Sequence, residues 1–319
     1  MTTFLALCMA QGCMHWGLRW ASNYVPTRAA GPSLVFPAVI PMENLAKLSN
    51  RDFGLYFQNS VSLEAIRALG ETALMHALSS RLTLMTPKDV YRTAMGLASC
   101  DVLPNLQVLT LLSEKIQAEA KQLRVHEVCA LAVEVAACYR RAAIPDESQE
   151  IRSTCRSLVS ELSGIFESKI FAANPVDLAN ITMALVDLGI VDVGVLEKVS
   201  LAVAVQIALF RGPELVDLLL AFALAGVKSD LLLATALPQL SDRMHTLTHP
   251  AQLGHVAFAF AKFGIPDSVP LSEKERFLSK LSSTISAADW TGESAQVRAD
   301  LQMSITELQK FHLSPRNSN

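Results

Sequence analysis

Four carboxylates and three imidazoles are, by type and spacing, the residues of this chain most open to a chemical reading. Asp89, Glu127, Asp177 and Glu214 recur along the sequence, and a row of acids could serve general acid–base work. Each of them, however, follows closely on a turn-forming or helix-entry residue. A carboxylate in the first helical turn meets the positive end of the helix dipole, so these positions read first as helix-start stabilisers. His245, His249 and His255 lie close together, with Asp242 nearby as a further oxygen ligand. A His-x3-His spacing can put two imidazoles on one helical face and hold a metal. Pro250 makes His249 a helix-entry residue, which separates it from His245 and favours surface histidines over a metal centre. No metal and no cofactor is expected.

Other chemistry is thinly represented. There is no phosphate-cradling GxxxxGK, no GxGxxG, no HExxH and no GxSxG. Cys8, Cys13, Cys100, Cys129, Cys138 and Cys155 include no CxxC pair. Four of them fall on or beside predicted helices, as small buried hydrophobes would, and this usage fits a reducing compartment. Phe222, Phe258, Phe260 and Phe263 lie in apolar helical runs and read as core rather than as base-stacking platforms. Nothing here gives a reason to propose an enzyme; the rival reading is a catalytic site in a concavity with converging titratable groups.

The elements that carry these residues repeat. A turn or helix-entry residue is followed two positions later by Asp, Glu or Gln, then a large apolar residue, then a helical run. Asn174-Pro175-Val176-Asp177-Leu178, Gly212-Pro213-Glu214-Leu215, His249-Pro250-Ala251-Gln252-Leu253 and Thr86-Pro87-Lys88-Asp89-Val90 are four copies. Two more lack the Pro and centre on Asp52 and Glu127. From Asp52 through Asp89, Glu127, Asp177 and Glu214 to Gln252 the steps are 37, 38, 50, 37 and 38 residues. A fixed period in this range is the mark of stacked repeats, each hiding its apolar face against the next. The pattern predicts an all-α fold: an α-solenoid of about six helix-turn-helix repeats of 37–38 residues, spanning 46–311, with a polar C-terminal capping helix and a tail over 312–319.

Each repeat reads as two helices. Asn174 caps, Pro175 opens, and Leu178, Ile181, Leu185 and Leu188 make one apolar face before Gly189 stops the helix. A second helix is expected from about Val193 to Phe210. In the sixth repeat Leu253, Val256, Phe260 and Phe263 form the stripe, Gly264 stops it, and helix two is expected from about Ser272 to Ser286 with Ser272 and Glu275 in capping-box register. The long step predicts an insertion at about Arg140 to Ser153. A closing helix is expected from about Glu293 to Phe311.

Composition narrows the partners. The chain has 319 residues, 51% hydrophobic and 6% aromatic, with a formal charge of −3. A protein gripping nucleic acid along its whole surface would be clearly basic, so RNA contact needs a local patch. The one uneven basic feature is Arg140, Arg141, Arg152 and Arg156 around the insertion, with Lys121 and Arg124 upstream. These six are the candidate RNA or acidic-partner contacts; a solvated face is the alternative. The exposed side of second helices, such as Lys115, Gln117 and Lys198, is a further candidate. No apolar run reaches the length of a membrane span. The longest, Val199 to Phe210 and Leu218 to Val227, read as buried helices.

Residues 1–45 contain no acid before Glu43 and carry Arg19 and Arg28 among apolar and hydroxyl residues. That composition suits a mitochondrial targeting segment with a lead-in. A secretory signal or an ordinary N-terminal part of the fold are the alternatives.

The runs NPVDLANITMALVDLGIVD (174–192) and HPAQLGHVAFAFAKFGIPD (249–267) resemble the degenerate helical repeats of organellar RNA-metabolism proteins, the octotricopeptide-like and FAST-kinase-like group. The resemblance covers roughly residues 50 to 310. It implies a non-catalytic scaffold in a mitochondrial (matrix) RNA-processing ribonucleoprotein complex, serving RNA editing, mRNA stability or mitoribosome assembly. Its partners would be other proteins of that complex, and RNA through the basic patch. The chain departs from the group in its acidic balance and in having no room after residue 311 for the nuclease-like domain that many relatives carry. The alternative is a protein–protein adaptor that contacts no RNA.

Overall fold

Asn174 and Pro175 start a helix for reasons the backbone makes plain. The Asn174 side chain accepts from the Asp177 amide at 2.9 Å and donates to the Asp177 carboxylate at 2.8 Å. Pro175 needs no amide partner at the first helical position. Leu178, Ile181, Leu185 and Leu188 are all buried. Gly189 (φ +67°) then closes the helix in the left-handed region, its amide bonding to the Val186 carbonyl. Asp192 restarts the chain by accepting from the amides of Gly194 and Val195.

The computed structural model describes residues 47–59, 71–99, 106–141, 148–247 and 249–288, with 301, 305, 306 and 308. Every described residue belongs to one compact unit. The expected targeting segment and tail lie outside the described residues, as does most of the expected closing helix.

Among the described residues there are twelve α-helices and no strand, so the all-α expectation holds. They are α1 (Asn50–Asn59), α2 (Glu71–Leu82), α3 (Pro87–Ser99), α4 (Leu106–Glu119), α5 (Val125–Arg141), α6 (Ser148–Lys169), α7 (Pro175–Asp187), α8 (Val193–Gln206), α9 (Gly212–Ala225), α10 (Asp230–Arg243), α11 (Pro250–Phe263) and α12 (Leu271–Ala287). Short 3-10 turns at Ala120–Gln122, Ile170–Ala172, Ile207–Leu209 and Met244–Thr246 follow α4, α6, α8 and α10.

Neighbour relations follow one rule. Odd-numbered helices pack on one another in succession, from α1 on α3 to α9 on α11. Even-numbered helices do the same, from α2 on α4 to α10 on α12. From α3 onward each odd helix also packs on the even helix that follows it. Helix α9 therefore touches α7, α11 and α10, and it is buried almost all round from Leu215 to Ala223. That explains its unbroken apolar run without any membrane. No described helix is long and apolar enough to cross one. The largest buried side chains include Phe166, Phe210, Phe222, Phe260 and Phe277. The rings of Phe260 and Phe277 join α11 to α12 at 4.8 Å and 55°.

Two expectations need correction, and the insertion takes its own form. Its residues fall at about Arg140 to Ser153 and are mostly helical. Arg140 and Arg141 end α5, which has 17 residues where α7 has 13; Ser148 to Ser153 begin α6, which has 22 where α8 has 14. The insertion thus lengthens both helices, and only 142–147 stand between them, outside the described residues. Ser272 does not cap α12; that helix starts at Leu271 behind Pro270, whose ring already fixes the entry angle. Helix α8 stops at Gln206 and tightens into a 3-10 turn instead of running to Phe210.

Candidate functional site

The recurring acids are built into helix starts. Asp52 bonds Ser49 Oγ at 2.7 Å and Asp89 bonds Thr86 Oγ1 at 2.7 Å. The Glu127 carboxylate accepts from the Arg124 amide at 3.0 Å, and Glu214 from the Arg211 amide at 2.6 Å. Glu127 and Glu214 thus satisfy an orphan amide at a helix entrance, while Asp52 and Asp89 accept from the hydroxyls that cap their own amides, at 3.1 and 3.3 Å. Asp89, Glu127, Glu214 and the corresponding Gln252 are buried. Burial pulls the Glu127 carboxyl upward, but its bonds to Arg124 outweigh that and hold it below its usual range. Carboxylates held this way are structural.

Asp217 and His255 are also shifted strongly. Burial, with the Glu214 charge beside it, raises Asp217 to about 7. Burial, with His249, lowers His255 to about 4, and its Nδ1 has no hydrogen-bond partner. His245 sits in the 3-10 turn after α10, and His249 caps α11 by accepting from the Ala251 amide at 3.2 Å. The three histidines therefore occupy separate roles. Among the described residues no three His, Cys, Asp or Glu side chains gather as a metal site. Cys129, Cys138 and Cys155 are buried. Burial pushes Cys129 up, and Cys155 up to about 12, which leaves both poor nucleophiles. Phe222 and Phe260 are core, while Phe258 and Phe263 are half-buried.

The six basic candidates do not form one patch. Helix α5 spans about 25 Å at 1.5 Å per residue. Lys121 and Arg124 lie at its entrance, where Arg124 pairs with Glu127 at 2.8 Å. Arg140 lies at its far end and pairs with Asp187 of α7. Burial raises the Asp187 carboxyl despite that neighbour. Arg152 and Arg156 of α6 stand over the Tyr139 ring, 5.4 Å and 5.7 Å from its centroid. Arg156 Nε donates to the Leu188 carbonyl at 2.7 Å, capping the negative end of α7. Three of the six thus converge at the Tyr139 and α7 end, and two of those three are engaged inside the protein. Arg152 Nε is buried without a partner. Arg141 ends α5, and its side chain lies outside the described residues. Of the second-helix candidates, Lys115 pairs with Glu119 at 2.7 Å and Lys198 with Glu167 at 2.5 Å, and Gln117 is half-buried.

Two features escape a sequence reading. The first is a ladder of long polar side chains at even-helix ends. Arg81 donates to the Leu48 carbonyl at 2.6 Å. Lys169 donates to the carbonyls of Lys121 and Leu123 at 2.9 and 2.6 Å. Gln206 donates to that of Phe171 at 3.3 Å, and Arg243 to those of Ala208, at 3.3 Å, and Phe210. From Lys169 on, each rung ties one hairpin to the carbonyls at the turn of the hairpin before it; Arg81 ties α2 to the residues just before α1. The signal was present: a polar residue stands five or six positions before each cap, at Thr86, Asn174, Arg211 and His249. The second feature overturns the reading of Val199–Phe210 as wholly buried. Val199, Ala202, Val203 and Phe210 are buried, but Leu201, Val205 and Leu209 are 49%, 76% and 68% exposed. Phe171, whose carbonyl receives the Gln206 bond, is 59% exposed.

No protein-family model matches the chain, and no curated protein matches it either.

Proposed function

We propose that this chain is a non-catalytic helical-repeat scaffold: about six hairpins stacked as an α-solenoid, docking partner proteins along an extended surface. The observation that carries this reading is the succession of neighbours, odd helix on odd and even helix on even, with polar rungs from three successive hairpins to the one before. A stack of this kind grows in length rather than closing on itself. The setting, a mitochondrial RNA-processing complex, rests on the resemblance of residues 174–192 and 249–267 to organellar repeat proteins and on the acid-free N-terminal composition. Protein rather than RNA is the principal partner, because Arg124, Arg140 and Arg156 are engaged within the chain.

Small-angle scattering of the chain tests the stack. A closed globule of this length has a radius of gyration of about 20 Å, and a clearly larger value is expected. A value at 20 Å would overturn the reading.

Direct RNA contact is a second reading, favoured by the Arg152 and Arg156 guanidinium groups gathered at Tyr139. Titration of single-stranded RNA at rising salt tests it, since phosphate contacts weaken steeply with salt. Charge reversal at Arg140, Arg141, Arg152 and Arg156 should abolish such binding; unchanged binding removes the patch.

A further inference from the structure

We propose that the edge where even helices end and odd helices begin is a docking site for an acidic amphipathic helix of a partner protein. The inference rests on the scaffold reading and names the partner's chemistry. Three turns compose this edge, and hydrogen bonds place them side by side. Lys169, at the end of α6, holds the turn after α4 through the carbonyls of Lys121 and Leu123. Gln206, at the end of α8, reaches the Phe171 carbonyl in the turn after α6. Arg243, at the end of α10, reaches the carbonyls of Ala208 and Phe210 in the turn after α8. The strip therefore runs from Lys121 and Lys169, past Phe171, to Leu209 and Arg243. Phe171 and Leu209 are large apolar side chains left exposed in successive turns, and exposed Val205 stands four residues before Leu209.

Charge selects the kind of helix. Lys121, Lys169 and Arg243 form no ion pair among the described residues. Lys169 and Arg243 rest on backbone carbonyls, which are neutral, so both keep their full charge. Each also has N–H donors to spare, since an ammonium carries three and a guanidinium five. The carboxylates around the strip mostly have cations of their own: Glu119 pairs with Lys115, Glu127 with Arg124, Glu167 with Lys198, Glu214 with Arg211 and Asp242 with Arg276. Asp177 stands against the three cations without an ion pair, held by Asn174 and beside His126. The strip is thus net positive, with its cations at the two ends and Phe171 and Leu209 between them. Such a surface attracts Glu or Asp flanking large apolar residues. Packed helices lie about 8–10 Å apart, and one helix sets residues i and i+7 about 10.5 Å apart. Two anchors on one incoming helix can therefore reach Phe171 and Leu209 together. Leu209 and Val205 are aliphatic and give a nucleic acid no stacking face, which favours a peptide over RNA.

The test uses the whole chain and a synthetic helix of about 18 residues, long enough to cross two hairpins at 1.5 Å per residue. It carries Leu at i, i+3, i+4 and i+7 with Glu and Ala elsewhere, and a twin carries Lys for each Glu. Fluorescence anisotropy should give micromolar binding of the Glu peptide and none of the Lys peptide. Phe171→Ser with Leu209→Ser should weaken binding about tenfold or more, as loss of central anchors does. Lys121→Glu should weaken it about fivefold or more and flatten its salt dependence. All three side chains are exposed, and circular dichroism checks that the variants stay helical. Equal binding of both peptides, no binding of the Glu peptide, or indifference to either variant would overturn the proposal. Displacement of the Glu peptide by oligouridine would give the strip to RNA instead, and displacement by phosphatidylserine vesicles would give it to a membrane surface. Self-association lost in the Ser variant would give it to a second copy. A peptide failure with an elongated scattering profile sinks this inference alone; a compact profile sinks the scaffold reading whatever the peptide does.

Discussion

Lys169→Met isolates one rung of the ladder between hairpins. The variant keeps most of the aliphatic stem and removes only the ammonium group. Two bonds go with it, to the carbonyls of Lys121 at 2.9 Å and Leu123 at 2.6 Å. A hydrogen bond from a charged donor is worth about 1.5–3 kcal/mol when well shielded. The Lys121 bond is solvent-exposed and the Leu123 bond is part-buried, so a total of about 2 kcal/mol is expected rather than the full sum of two. In the proposed stack, held by interfaces between neighbours, the loss falls on the junction between the α3–α4 and α5–α6 hairpins and the turn that joins them. Urea melts followed by circular dichroism should show a lower midpoint and a shallower slope, as the two sides begin to unfold separately. Lys115→Met is the control. It breaks only the i, i+4 pair with Glu119, worth about 0.3–0.5 kcal/mol. If Lys169→Met costs no more than this control, the rungs are incidental and the account of how hairpins are held in register is wrong.

Other outcomes follow from single sites. Asp217, raised to about 7 from 3.8, holds its proton more tightly in the folded state, so its burial lowers stability as pH rises from about 4 to 7. Asp217→Asn should remove that decline and stabilise the protein at pH 8 by at most about 4 kcal/mol, at about 1.4 kcal/mol per pKa unit. His255, lowered to about 4 from 6.5, acts in the opposite sense and costs stability as pH falls through that window. His255→Phe should leave the Asp217 slope bare in melts between pH 4 and 8; parallel curves for both variants would refute the assignment. Gly164→Ala should stabilise by about 0.5–1 kcal/mol, since it fills open space mid-helix. Gly226→Ala should destabilise by about 1–2 kcal/mol, since φ is +72° there; equal signs in thermal melts would contradict both arguments. Phe260→Ala removes a buried ring tilted against Phe277 and should cost about 3–5 kcal/mol by chemical denaturation; a loss under about 1 kcal/mol would mean that this contact does not join α11 to α12.

Helix starts and stops were legible because they are local. Asn174, Pro175 and Asp177 act within one turn, and Gly189, Gly226 and Gly264 each take the positive φ that ends a helix. The reading of the recurring acids as helix-start groups held for the same reason. The insertion was legible in place but not in form, because its residues continue helices as readily as they form a loop, and sequence counts only their number. The exposed line on α8 was missed because apolar residues all round a helix give no period, so the sequence cannot say which of them a neighbour covers.

The repeat of polar start, apolar stripe and glycine stop was enough to determine that the chain is helical and where its helices begin, since capping and backbone conformation depend on residues a few positions apart. Only the tertiary structure decided which charges are already used. Arg140 meets Asp187 forty-seven positions away, Lys169 meets carbonyls of the hairpin before it, and Leu201, Val205 and Leu209 are left uncovered. Those outcomes depend on the neighbour set of each helix, and a neighbour set is a property of the packed chain.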